Sequence, residues 1–163
     1  MAITPQQVKL LRQRLNKVEN GFSKLPNPSR EKSLALTSLQ ESSMFLGLVL
    51  GDMDEKTPYI QSSNPENDVI EARADVSDSE FNFESDEEIK MVKELRSEME
   101  IRLIEVKEIY KTASVQDFSP EKSIFAPSHL VTSITSLEKS RMWLGMDLNR
   151  IKNKAELDAL GKV

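Results

Sequence analysis

Few residues in this 163-residue chain have the types or spacing that chemistry on a small molecule requires. There is no Cys and a single His, His129, which excludes disulfides, thiolate nucleophiles and Cys or His metal clusters. Glycine-rich phosphate loops and nucleophile motifs are missing, and no acid is partnered with a base in an apolar setting, so acid–base catalysis has no identifiable site. What remains is a pattern suited to holding an anion. Arg30 falls in the first turn of a helix expected to start at Pro28, where unpaired backbone N–H groups and the positive dipole end favour negative charge. Its planar guanidinium can fork onto a phosphate diester. Ser33 and Thr37 follow on the same face, one and two turns on, with hydroxyls for ribose or base edges, and Lys32 lies nearby on the first turn. Tyr59 can stack on a base, a contact worth about 1–3 kcal/mol. The same residues also suit a plain helix surface, with Arg30 a solvated charge and Ser33 and Thr37 easing helix packing. Either way the chain reads as a binder that does no chemistry, with no metal and no cofactor.

The elements that must position these residues are helical. Apolar residues make up 38% and charged residues 30%, with five Gly, two Tyr and one Trp, a composition that points to an all-α fold. Thr4 with Gln7 forms a capping box and Pro5 takes the first helical position. Val8, Leu11, Leu15, Val18, Phe22 and Leu25 then draw one apolar seam along a first helix. Pro26-Asn27-Pro28 ends it, and Asn27 is placed to cap a second helix from Pro28 to about Leu50, closed by Gly51. On that helix Leu34, Ala35, Leu36, Leu39, Phe45, Leu46, Val49 and Leu50 cover more than half the circumference, leaving an arc of Arg30, Ser33, Thr37, Gln40, Glu41 and Met44. One neighbouring helix cannot cover so broad a face, which predicts burial within the chain and also in a homo-oligomer joined through the faces containing Leu39 and Leu137. Gly47, in mid-helix, predicts the close approach of another backbone.

The plan recurs. Ser85 and Glu88 suggest another capping box, opening a helix that runs to about Thr112 along Ile89, Val92, Leu95, Met99, Leu103, Val106 and Tyr110. Thr135 to Leu148 matches Thr37 to Leu50 at an offset of 98, with eight of fourteen positions identical, Thr37/Thr135 and Gly47/Gly145 among them. Two tandem antiparallel helical hairpins result, over 1–51 and 85–154, with an acidic linker or long loop over 52–84 and a tail over 155–163. Residues 52–88 hold thirteen Asp/Glu against Lys56 and Arg73, a local charge of −11 within a total of −5. The second copy has no certain equivalent of Arg30, and His129 is the nearest candidate. Neither a signal peptide nor an apolar run of about 18 residues is evident in the sequence, which predicts a soluble chain that is not exported by that route.

Ser29-Arg30-Glu31-Lys32-Ser33-Leu34-Ala35-Leu36-Thr37, followed by Met44-Phe45-Leu46-Gly47, and the later block ending Met142-Trp143-Leu144-Gly145, resemble the hairpin domain shared by phage anti-CBASS and anti-Thoeris sponge proteins. The resemblance covers the motif twice, whereas the sponges this chain resembles carry one hairpin. It implies a helical oligomer in the cytoplasm of the infected bacterial host that binds cyclic di- or trinucleotides, or cyclic ADP-ribose isomers, and withholds them from defence effectors. It implies ligand contacts at Arg30, Ser33 and Thr37, and at Thr135 in the second copy, with no membrane and no nucleic-acid polymer as partner. Two other classes fit the sequence: an acidic DNA mimic built on Asp52 to Glu88, and a structural helical protein of a phage particle.

Overall fold

A computed structural model of the chain describes residues 2–57 and 84–161. Four α-helices and one 3₁₀ turn, with no strand, order these residues: α1 Pro5–Phe22, α2 Arg30–Asp52, α3 Glu84–Thr112, the turn Val115–Asp117 and α4 Ala126–Gly161. Tyr59 and the acidic residues between 58 and 83 lie outside the described residues.

Helix α1 starts as its sequence dictates. The Thr4 hydroxyl accepts from the Gln7 N–H, the Gln7 side chain answers on the Thr4 N–H, and Pro5 occupies the first turn. Its seam of Val8, Leu11, Leu15, Val18 and Phe22 is buried. The start of α2 differs from expectation. Asn27 does not cap; it takes a positive φ of 54° just before Pro28, and Ser29 caps by accepting from the Lys32 N–H. Helix α2 therefore begins at Arg30. Helix α3 begins at Glu84, so Ser85 sits within the helix, and the Glu88 carboxylate is turned to Lys32 and to the Asn27 amide at 2.9 Å in place of a capping box. Helix α4 runs on to Gly161, through the residues assigned to a tail.

The helices close a ring of contacts, α1 on α2, α2 on α4, α4 on α3 and α3 on α1. Helix α2 is antiparallel to α4. The Ser42 and Ser133 hydroxyls meet at 2.9 Å, the Ser140 hydroxyl donates to the Ala35 carbonyl at 2.6 Å, and the Ser29 hydroxyl meets Asp147 at 2.7 Å. Small residues at these crossings let the two backbones approach, and their hydroxyls are hydrogen-bonded within the interface. Leu39 and Leu137 are both buried inside the single chain, so the broad apolar faces expected to join separate chains are covered by the chain's own helices. Helix α2 is long and apolar enough to cross a membrane by length and composition, and Ala35, Leu39, Leu46, Val49 and Leu50 belong to the shared core.

Gly47 admits a side chain, not a backbone. A Cβ there would stand 3.2 Å from Cζ of Arg12, whose Nε donates to the Ser43 carbonyl at 3.0 Å. Gly145 repeats the arrangement on α4, with Cζ of Arg96 at 3.3 Å.

The ends of the bundle are tied by polar contacts. The Ser119 N–H donates to the Asp52 carbonyl at 2.8 Å and the Lys122 ammonium to the Gly51 carbonyl at 3.2 Å, closing the carbonyl end of α2. Asp117 accepts from the Ala2 and Ser114 N–H groups, both at 2.8 Å, pinning the N-terminal segment to the end of α3. Burial raises the Asp117 carboxyl pKa, but donors at Ser114, Ile3 and Ala2 outweigh it and hold it below the ordinary carboxylate value. Because the folded pKa is the lower one, this stabilisation is complete above an unfolded pKa of about 3.9 and is lost as pH falls through the folded value. Asp117→Asn should cost about 1–3 kcal/mol at pH 7, and the gap to the parent should close below about pH 4 in urea unfolding at several pH values. An unchanged midpoint at pH 7 would show that the pin contributes nothing.

Candidate functional site

Arg30 is the first residue of α2, in the turn whose backbone N–H groups have no helical partner. Its side chain is exposed, and it makes no ion pair or hydrogen bond with another described residue. Ser33 and Thr37 are exposed along the same face, and the Thr37 hydroxyl donates to the Ser33 carbonyl at 3.0 Å, leaving its lone pairs outward. The rest of the expected polar arc, Gln40, Glu41 and Met44, is exposed as well. One cation, two hydroxyls and a helix N-terminus thus share one surface strip, an arrangement that can hold a phosphate and a sugar edge.

Lys32 does not join them. Two residues along a helix is a turn of about 200°, so Lys32 points into the bundle while Arg30 points out. Its ammonium pairs with Glu88, donates to the Pro26 and Asn27 carbonyls at 2.8 and 2.7 Å, and stands 3.6 Å from Asp147. Arg150 closes this cluster, 3.0 Å from Asp147 and 3.7 Å from both Glu31 and Glu88. No donor of the Lys32 ammonium is left for a ligand.

His129 lies elsewhere too. Its Nδ1 meets Asp52 Oδ2 at 2.6 Å, and its ring packs 6.0 Å from that of Phe45. Asp52 closes α2 and Arg30 opens it, roughly 33 Å apart at 1.5 Å per residue, so one chain does not bring His129 and Arg30 together. Thr135 is exposed on α4 between the Ser133 and Ser140 contacts, as Thr37 is on α2 between Ala35 and Ser42. Of the expected site residues, Arg30, Ser33 and Thr37 form a strip on α2, Thr135 stands on the adjoining helix, Lys32 and His129 are engaged in the framework, and Tyr59 lies outside the described residues.

Besides Met44, which the sequence placed on the outward arc, three exposed apolar residues were passed over, Leu48, Met142 and Met146. Met44 is 53%, Leu48 43%, Met142 49% and Met146 47% exposed. The signal was in the repeat, since Met44 corresponds to Met142 and Leu48 to Met146 at the offset of 98. Among the described residues no group of three or more His, Cys, Asp or Glu is placed to hold a metal ion. Comparison with protein-family models, curated proteins and solved structures finds no match to this chain.

Proposed function

We propose that the chain binds a cyclic di- or trinucleotide, or a cyclic ADP-ribose isomer, and withholds it from anti-phage effectors in the cytoplasm of an infected bacterium without cutting it. The observation that carries this reading is the exposed guanidinium of Arg30 at the α2 N-terminus, with the Ser33 and Thr37 hydroxyls along the same strip and no described partner for the charge. The resemblance of residues 29–47 and 135–148 to the phage sponge hairpin supplies the ligand class. In this reading α1 with α2 and α3 with α4 are two tandem antiparallel hairpins joined by the acidic segment. The chain assembles as a homo-oligomer in which strips from several copies converge on one ligand. The exposed Met44, Leu48, Met142 and Met146 supply apolar surface for that assembly.

Isothermal titration against a panel of cyclic dinucleotides, cyclic trinucleotides and cyclic ADP-ribose isomers tests the reading. One class should bind, and Arg30→Ala should weaken it by about 1.5–3 kcal/mol with helicity intact, Arg30→Lys recovering part because an ammonium cannot fork. Equal affinity in a folded Arg30→Ala chain would remove Arg30 from the site, and no binding across the panel would remove the reading.

A further inference from the structure

The 98-residue offset of the repeat, applied to the interface between α2 and α4, groups its contacts into equivalent pairs. Ser42 with Ser133 becomes Ala35 with Ser140, and both contacts are present, at 2.9 and 2.6 Å. Asp52 with His129 becomes Glu31 with Arg150, and these too are both present, at 2.6 and 3.7 Å. The geometry repeats while the charges do not. Carried along the unbroken helices, the offset of 98 aligns His129 of α4 with Glu31 of α2 and not with Arg30 as the sequence had suggested, and Arg150 of α4 with Asp52 of α2, so acidic residues in one copy stand where basic residues stand in the other. The ion pair of Lys32 with Asp147, 3.6 Å apart, takes the place equivalent to Val49 and Leu130, both buried and apolar.

We infer that these side chains form a pairing code: the face of α2 accepts only the face of an α4, from its own chain or from a second copy, and refuses another α2. Two α2 faces in the observed geometry would set Glu31 against Asp52 twice, acid on acid, and would bury each Lys32 ammonium against Val49. Two α4 faces would set His129 against Arg150 with the acidic partner of each missing, and bury each Asp147 carboxylate against Leu130. The Glu31 and Asp52 carboxylates would repel, and Lys32 and Asp147 would each lose the buried counter-charge that the mixed pairing supplies. Only the mixed pairing matches every position: Glu31 with Arg150, Asp52 with His129, Lys32 with Asp147, and Val49 with Leu130. A duplicated chain whose halves were interchangeable would pair like with like between copies and polymerise; the swapped charges remove that route.

The chain has no Cys, so introduced pairs report the pairing directly in the full-length protein. Under mild oxidation Ser42→Cys/Ser133→Cys should close a disulfide, whereas Ala35→Cys/Ser42→Cys, which bridges only two α2 faces, should stay reduced on non-reducing gels. Adding Glu31→Arg to the second chain makes α2 self-complementary at that pair and should raise the interchain product by roughly tenfold. Further addition of Arg150→Glu restores the mixed pair, which competes with the α2–α2 pairing and should reduce that product. If the Glu31→Arg chain loses its helicity, Asp52→Arg recodes the same pair from the other side. Interchain closure of Ala35→Cys/Ser42→Cys without recoding, or none in a folded recoded chain, would overturn the code.

Discussion

Lys32→Met should destabilise the protein by about 3–5 kcal/mol, the range found when one partner of a buried charge pair is removed. The Lys32 ammonium is the common counter-charge of Glu88 and Asp147, which are 5% and 0% exposed. Without it, Arg150, itself 37% exposed, is the cation left beside the two carboxylates among the described residues. Asp147 Oδ2 already lacks a hydrogen bond and depends on the nearby ammonium, so its desolvation would have little left to balance it. The loss should appear as a lower urea midpoint by circular dichroism, and neutralising the orphaned acids in Lys32→Met/Glu88→Gln/Asp147→Asn should recover much of it. A loss below about 1 kcal/mol would mean that water reaches the cluster and screens it as at a surface. Because this ammonium faces inward, ligand affinity measured on the folded fraction should not change.

Leu39→Ala and Leu137→Ala should each cost about 2–5 kcal/mol, through lost transfer energy and the cavity left where the four helices cannot collapse. The two leucines occupy equivalent places in the repeat and are 1% and 0% exposed within one chain. The destabilisation should therefore be the same at every protein concentration. If it faded at high concentration, or if the variants changed self-association and not the unfolding midpoint, the leucines would be serving an interface between chains.

Local signals in the sequence corresponded closely to local structure. The Thr4/Gln7 capping box, the seam from Val8 to Phe22 and the outward arc from Arg30 to Met44 each depend on a few neighbours along one helix, and each is present. Signals that depend on distant residues were not readable in the same way. A wheel separates Lys32 from Arg30 by about 200°, yet only Glu88 and Asp147, contributed by α3 and α4, explain why a charged residue turns inward. Gly47 marked a close approach, but the expected backbone is not there; the Arg12 side chain fills the place. The excess apolar circumference of α2 was visible as well. Its partner was misplaced, because a repeat shows that two halves are alike and not that they face each other; the Ser42/Ser133 and Ala35/Ser140 contacts show that they do. Asn27 looked like a cap because Asn favours that position, but it takes a positive φ and its amide donates to Glu88 of α3, a distant partner, while Ser29 caps the helix.

The most direct test of sequestration is to incubate the ligand found by titration with the protein, then denature the protein by heat and analyse what is released. In the proposed reading Arg30, Ser33 and Thr37 are the binding groups, and among the described residues no group of three or more metal-ligating side chains is placed to hold an ion. The account predicts that ligand disappears from solution until protein sites are saturated, that protection of a nucleotide-activated effector saturates at the same ratio, and that heating returns the ligand chemically unchanged. Linearised or hydrolysed nucleotide, accumulating with time at substoichiometric protein, would contradict it and show the chain to be an enzyme.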